Sequence, residues 1–450
     1  MAATAESALS SRQTPAARPF GLHRLSGGWL CAAPALIATV LFAYLYSTAT
    51  PLTDEWIFLH AAIDLHSLDW HSWADWKRAL EIYPFKPGDH VLALPFAIYL
   101  IGSELSNYDQ RVEIAITIAT LIAQIAAYRS VVSKSAWMTF VLSVIIFNPA
   151  RYMDFLWGFE FHEALSIMFA ILGVAALRRL GSSDYGFWRT IVIGLALMAA
   201  AILSSAAGYF GLLGAAAMVS VMRIEARCKF AALAIIAAAF IALYVLLRPP
   251  SHALIADWHR EAFYVLTALG GVLWSSPVGL FSFPINVRSV TGAVLILLFI
   301  ITLWRAWNLH RVSEIAFPLG LVVFGLFGAA AIGVNREYLG NWHLQFVAPA
   351  VCGIFMCAWV VSKRTQLRID LLAAVVILVG AVMGAREAFL IHGPAYNAYV
   401  RSIERYILNF TPNSPQPKPY PARPPQWDVD QTMVGFLKTR HHVLFAGSGG

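Results

Sequence analysis

The sequence predicts an all-α polytopic membrane protein with about eleven transmembrane helices, and three observations carry that reading. First, 59% of the 450 residues are hydrophobic and only 13% are charged, with a mean hydropathy of +0.65. Soluble domains carry about 25% charged residues. Second, several apolar runs approach the ~20 residues that cross a ~30 Å hydrocarbon layer. Third, basic residues gather in short loops between those runs. Long solid runs exclude a membrane barrel, whose strands alternate in polarity. The net charge of +7 sits in loops that set topology, so no nucleic-acid partner is expected. Cys31, Cys228, Cys352 and Cys357 lie in or beside apolar runs, without metal or disulfide spacing, and read as small core residues.

Residues 1–28 are Ala/Ser-rich, carry Arg12, Arg18 and Arg24, and read as a disordered cytoplasmic tail. The run WLCAAPALIATVLFAYLYST is too long for a signal-peptide core and is taken as a retained first span. Further spans fall near 112–130, 135–148, 163–178, 190–205, 208–222, 230–247, 289–303, 315–333, 344–361 and 369–385. Alternate loops hold Arg129/Lys134, Arg178/Arg179/Arg189, Arg223/Arg227/Lys229, Arg305/Arg311 and Lys363/Arg364/Arg368, which with the N-terminal tail make sixteen of the 32 Lys+Arg. The positive-inside rule makes these loops cytoplasmic, which places the N-terminus inside and the C-terminus outside a bacterial inner membrane. Counting VLALPFAIYLIG (91–102) or YVLTALGGVLWSSPVGLF (264–281) alone as a full span would invert the loops beyond it. Both are therefore read as interfacial or half-inserted helices on the outer side.

The transmembrane domain thus runs over 29–385 and includes a first extracytoplasmic loop, 49–111. In that loop Leu65, Leu68, Trp73, Trp76 and Leu80 follow near-helical spacing, as in a helix lying flat in the headgroup layer. A short aromatic loop follows at 150–162. The C-terminal tail, 386–450, holds the proline-rich linker TPNSPQPKPYPARPPQ and then WDVDQTMVGFLKTRHHVLF, read as one small docked element.

Chemistry concentrates in the outer segments. Asp54 and Glu55 leave the first span inside TDEW, and the run that follows holds them at membrane depth, where ionisable groups are costly and functional. Asp89 and His90 (GDH) close the same loop, whereas Asp64, Asp69 and Asp75 read as ordinary outer-loop acids. A carboxylate pair after span one, a long first outer loop with membrane-parallel helices and a second acidic/His motif resemble the GT-C class of membrane glycosyltransferases over roughly residues 29–385. That resemblance implies a polyprenyl-phosphate-linked sugar as donor and a glycan, lipid or protein acceptor on the extracytoplasmic face of the cell envelope. It implies Asp54 as base or metal-contacting carboxylate, assisted by Glu55 and the Asp89–His90 pair.

A lipid phosphate is already a good leaving group, so the chemistry asks mainly for a base, and one positioned carboxylate suffices. A divalent metal ion would neutralise the departing phosphate. Asp54, Asp89 and His90 are the residue types it would need, although one sequential pair does not define a metal site. Trp157 reads either as a sugar-stacking ring or as an interfacial anchor. Glu160 and His162 could bond sugar hydroxyls, and Arg151 either holds a phosphate or snorkels. In GVNREYLGNWH (333–343), Arg336 is the favoured clamp for the donor phosphate, with Tyr338 and His343 as helpers. The chain departs there from an Arg-Tyr pair that related proteins carry. SSAAGYFG (204–211) reads as a helix-packing break, and NFT at 409–411 as a chance sequon. No Gly-rich phosphate cradle or nucleotide-binding turn occurs, which argues against a nucleotide-sugar donor. The alternatives are a transporter or flippase of lipid-linked sugars, an O-antigen polymerase or ligase, and a non-catalytic membrane protein that keeps the fold. A transporter calls for mid-span charges and an inverted repeat, and neither is seen.

Overall fold

A computed structural model of the chain describes residues 26–52, 54–69, 71–82, 91–181, 186–247, 257–275, 286–335, 339–411 and 431–445. Among the described residues every regular element is helical. Helices α1 (Ser26–Trp29) and α2 (Ala33–Tyr46) lead into α3 (Glu55–His66), α4 (Trp73–Ile82) and α5 (Ala93–Ser106) of the first loop. Then come α6 (Arg111–Val131), α7 (Ala136–Ile146), the short α8 (Met153–Leu156), α9 (Phe161–Leu177), α10 (Phe187–Ile202) and α11 (Gly208–Val221). The second half holds α12 (Ala226–Leu247), α13 (Trp258–Gly271), α14 (Val287–Asn308), α15 (Ala316–Asn335) and α16 (Leu344–Ser362). The chain ends in α17 (Ile369–Glu387), α18 (Gly393–Leu408) and α19 (Gln431–Thr439).

Among the described residues, seven helical stretches are long and apolar enough to cross a membrane; α2, α5, α7, α10 and α11 are shorter apolar helices. Every apolar run read as a span from the sequence falls on a helix. The stretch containing α16 is 89% buried and packs against α13, α14, α15 and α17, so it forms the centre of the bundle. By contrast α12 is 11% buried and marks the periphery. Of the run 264–281, read as interfacial or half-inserted, residues 264–271 lie in α13, which packs against α14, α15 and α16, and residues 276–281 lie outside the described residues.

Short helices end inside an apolar bundle, where their last carbonyls have no water to bind. Side chains from other elements supply the donors. At the end of α7, Thr39 donates to the Phe147 carbonyl and Arg151 to the Ile146 carbonyl. Asn148 donates to Val272 O (3.1 Å) and Leu273 O (3.3 Å) after α13, and Ser166 donates to Ala201 O (2.9 Å) in the last turn of α10.

Helices α17 and α18 form one 40-residue stretch, Ile369–Leu408. Its rise of ~60 Å is twice the hydrocarbon thickness, so the helix outruns the membrane. Pro394 has no N–H to give the preceding turn, and residues Ala388–His392 widen into a π-turn. Tyr46 OH caps the Phe389 carbonyl of that turn at 2.8 Å. The boundary read at 385 marks the fall in hydropathy, while the backbone stays helical to Leu408.

Three of the basic loops meet at the ends of α11, α14 and α16. Arg223 donates to the His310 carbonyl, Arg311 pairs with Glu314 at 2.8 Å, and Arg364 lies 3.9 Å from the same carboxylate.

Glycines set the closest helix approaches. A β-carbon on Gly292 would fall inside the Leu266 carbonyl of α13, and those on Gly214 and Gly320 would each strike the other's carbonyl. Gly292→Ala is expected to cost about 1–3 kcal/mol and to lower the Tm in detergent by several degrees. Gly435→Ala, where an added carbon meets nothing within 4 Å, is expected to leave the Tm unchanged in the same assay.

Candidate functional site

The site lies where the end of α2, the start of α3, the 148–160 loop, the 339–343 turn and α18 converge. Pro51 precedes the turn that begins α3, and Asp54 takes its N-cap position without a capping bond from its side chain. Asp54 is partly exposed at the N-terminal end of α3.

Glu55, its neighbour, has the opposite environment. It is 2% exposed, and its Oε2 accepts the Leu52 N–H at 2.7 Å. Its Oε1 and the Gln110 carbonyl lie so close to Gly158 that no β-carbon would fit there. Gly158 N–H in turn donates to Gln110 Oε1 at 3.2 Å, and Gln110 Nε2 donates to Thr48 Oγ1 at 3.4 Å. Burial, reinforced by Glu113, pushes the Glu55 carboxyl well above the usual carboxylate range, against the pull of the Leu52 and Phe159 backbone amides. The two adjacent acids are thus held apart in character, one partly exposed and one buried.

Trp157 is buried; its Nε1 donates to the Leu52 carbonyl at 3.3 Å, and its ring meets Trp342 edge-on at 6.0 Å. It anchors the loop on one side of the acids rather than standing open as a platform. Glu160 is 1% exposed and lies in the electrostatic field of Asp154, Asp54 and Glu55. Its Oε2 has no hydrogen-bond donor among the described residues. His162 Nδ1–H donates to the Phe159 carbonyl at 2.7 Å.

Arg151, read as a phosphate ligand or a snorkelling side chain, is instead fully buried and 3.0 Å from Asp154. Burial pushes Asp154 up to about 7, although Arg151 and Gln345 pull the other way. Asn341 sews the 339–343 turn to this loop: its Nδ2 donates to Ala150 O (2.9 Å) and its Oδ1 accepts Met153 N–H (3.1 Å). His343 is buried in the same turn and accepts the Gly340 N–H at 3.2 Å. From α18, Tyr396 is 2% exposed and lies in the field of Glu55, Glu160 and Tyr152, and Tyr152 stacks on His392 with centroids 4.7 Å apart.

The structure therefore brings together Asp54, Glu55, Trp157 and Glu160, with His343 one turn away beside Trp342. Asp89, His90, Arg336 and Tyr338 lie outside the described residues. Asp154, Gln110, Asn341 and Tyr396 were missed by sequence reading. The i, i+3 spacing of Arg151 and Asp154 was a usable signal for the first. Among the described residues no three His, Cys, Asp or Glu side chains gather to hold a metal ion. Of the trio read as metal ligands, Asp54 is the member described.

No protein-family model matches the chain, and no curated protein sequence matches it. Among solved structures it is similar to the oligosaccharyltransferase of Archaeoglobus fulgidus in the apo form, at 12% identity and a TM-score of 0.51. That match covers 94% of this chain and 64% of the other, so the chain spans less than two thirds of its length. It is also similar to ArnT from Cupriavidus metallidurans bound to undecaprenyl phosphate, at 15% identity and a TM-score of 0.44, covering 92% and 88% of the two chains. The chain is a multi-pass membrane protein with a GT-C fold.

Because the Glu55 pKa is raised in the folded state, its neutral form contributes stability that is complete below the ordinary carboxyl pKa and is lost as pH rises through the raised value. The Tm of the wild type in detergent is expected to fall as pH rises above the ordinary carboxyl pKa by a component that Glu55→Gln lacks. Parallel Tm–pH curves for the two proteins would contradict this.

Proposed function

We propose that the chain is an integral membrane glycosyltransferase that moves a sugar from a polyprenyl-phosphate carrier to an acceptor hydroxyl on the extracytoplasmic face. The observation that carries this reading is the pairing of a partly exposed carboxylate, Asp54, with buried carboxyls at one end of a GT-C fold. Asp54 takes the proton from the acceptor hydroxyl. The acceptor oxygen bonds to the anomeric carbon as the bond from that carbon to the phosphate oxygen breaks, and the electron pair leaves with the lipid phosphate. Glu55 keeps the 52–55 turn closed against Gly158 and so aims Asp54; it does not itself face substrate. Glu160 is proposed to bond a sugar hydroxyl once the site opens to substrate. Asp89, His90, Arg336, Tyr338 and His343 are proposed to complete the binding of sugar and phosphate, with Arg336 as the guanidinium for the phosphate.

The test is mass spectrometry of envelope lipids and glycans from a deletion strain complemented with wild type or Asp54→Asn. Wild type is expected to restore a missing glycosyl unit. The asparagine variant is expected to lose roughly 10²-fold or more of that activity. Full restoration by Asp54→Asn would remove Asp54 from the mechanism.

A further inference from the structure

The last described segment of the chain reaches the back of the acidic site. Met433, Val434 and Leu437 of α19 are buried; α19 packs on α3, and Phe436 meets Tyr108 (5.1 Å) and His66 (5.7 Å). Arg440 then donates to Glu104 at 3.0 Å and to the His66 ring, while Glu104 accepts Tyr108 OH at 2.6 Å.

The helix ends in a turn that aims the next side chain inward. His441 takes the left-handed conformation, φ 51°, and the His442 N–H reaches back to the Leu437 carbonyl at 3.0 Å. This is a Schellman ending with histidine where glycine is usual. His442 is fully buried. Its Nδ1 accepts the Leu444 N–H at 3.2 Å, which leaves the proton on Nε2. That one N–H donates to two carbonyls from separate segments, Ala49 O and Tyr108 O, each at 3.1 Å.

Both segments belong to the frame of the acids. The Ala49 carbonyl also accepts the Gln110 N–H at 3.4 Å. Gln110 holds Thr48 on one side and Gly158 on the other, and Gly158 is the residue against which Glu55 is pressed. The Tyr108 carbonyl closes a strained turn, since Asn107 and Tyr108 both have positive φ, 55° and 65°. Thr50, next to Ala49, donates to Glu404 of α18 at 3.0 Å.

We infer that His442 is a positioning residue for the Asp54–Glu55 turn: it clamps the 47–52 and 107–110 segments together from the C-terminal side. This deepens the transferase reading and, for its kinetic consequence, rests on it. The structural consequence stands independently.

The test uses the full chain in lipid nanodiscs, comparing wild type with His442→Phe, which keeps the volume without the donor, and His442→Gln, whose amide nitrogen reaches the Nε2 position. Hydrogen-exchange mass spectrometry is expected to show peptides spanning 47–57 and 106–113 exchanging roughly 10-fold faster in His442→Phe, as for loss of one buried bond. Those peptides should stay within about twofold of wild type in His442→Gln, and the 344–362 helix should not change in either. If His442→Phe does not accumulate, His442→Asn replaces it, since the shorter amide reaches only the Nδ1 position. Unchanged exchange in 47–57 and 106–113 overturns the inference, as does failure of glutamine to restore it. In the transfer assay, kcat is expected to fall roughly 10-fold at constant KM for the lipid carrier, with recovery in His442→Gln. A change confined to KM also overturns it. Absence of any transfer by the wild type counts against the transferase reading alone, because the exchange result decides the clamp.

Discussion

A carbonyl group stranded in a dry, apolar bundle costs several kcal/mol, and the layout of this protein follows from how that cost is avoided. Asn148 is the central case. It sits where α7 has stopped, and its one amide group donates to the Val272 and Leu273 carbonyls at the end of α13 while its own oxygen accepts the Ala150 N–H. The interruption of α7 is thereby tied to that of α13, and the loop beginning at Asn148 is fixed in place. That loop carries Arg151, Asp154, Trp157, Gly158 and Glu160, so the backbone accounting of the bundle also sets the position of the acidic site.

The site itself is built from contrasts in solvation. Two adjacent carboxylic acids, Asp54 and Glu55, stand on successive residues at the start of one helix, and helix geometry points them about 100° apart. One meets solvent; the other meets Leu52 N–H and the bare face of Gly158. A partly exposed carboxylate thus lies beside one whose burial disfavours its charged form. Arg151, fully buried beside Asp154 and donating to the Ile146 carbonyl, belongs to the frame of the 148–160 loop.

The C-terminal part of the site's surroundings is structural in the same sense. The widened turn at Ala388–His392 lets one helix run from the bundle out over the site, and Tyr46, Asn397 and Glu404 hold it against the end of α2. Tyr396 reaches the acids from this extension. The His442 clamp closes the opposite side, more than 380 residues from Asp54 along the chain.

Composition and periodicity alone determined the class of the protein, the helices beneath its apolar runs and the interest of Asp54 and Glu55, because the ~30 Å apolar layer leaves a plain mark on hydropathy and because charge at membrane depth is rare. The likeness of fold was legible in the length of the first loop and the apolar runs on either side of it. Only the tertiary structure separated Asp54 from Glu55, since burial depends on Gly158 and Gln110, which approach from distant segments. It also buried Arg151 in the frame of the 148–160 loop and brought in Tyr396 and His442. Those two follow the last strongly apolar run, where hydropathy no longer reports position. Their place depends on a π-turn and a left-handed histidine, local distortions whose stabilising partners lie far off in sequence.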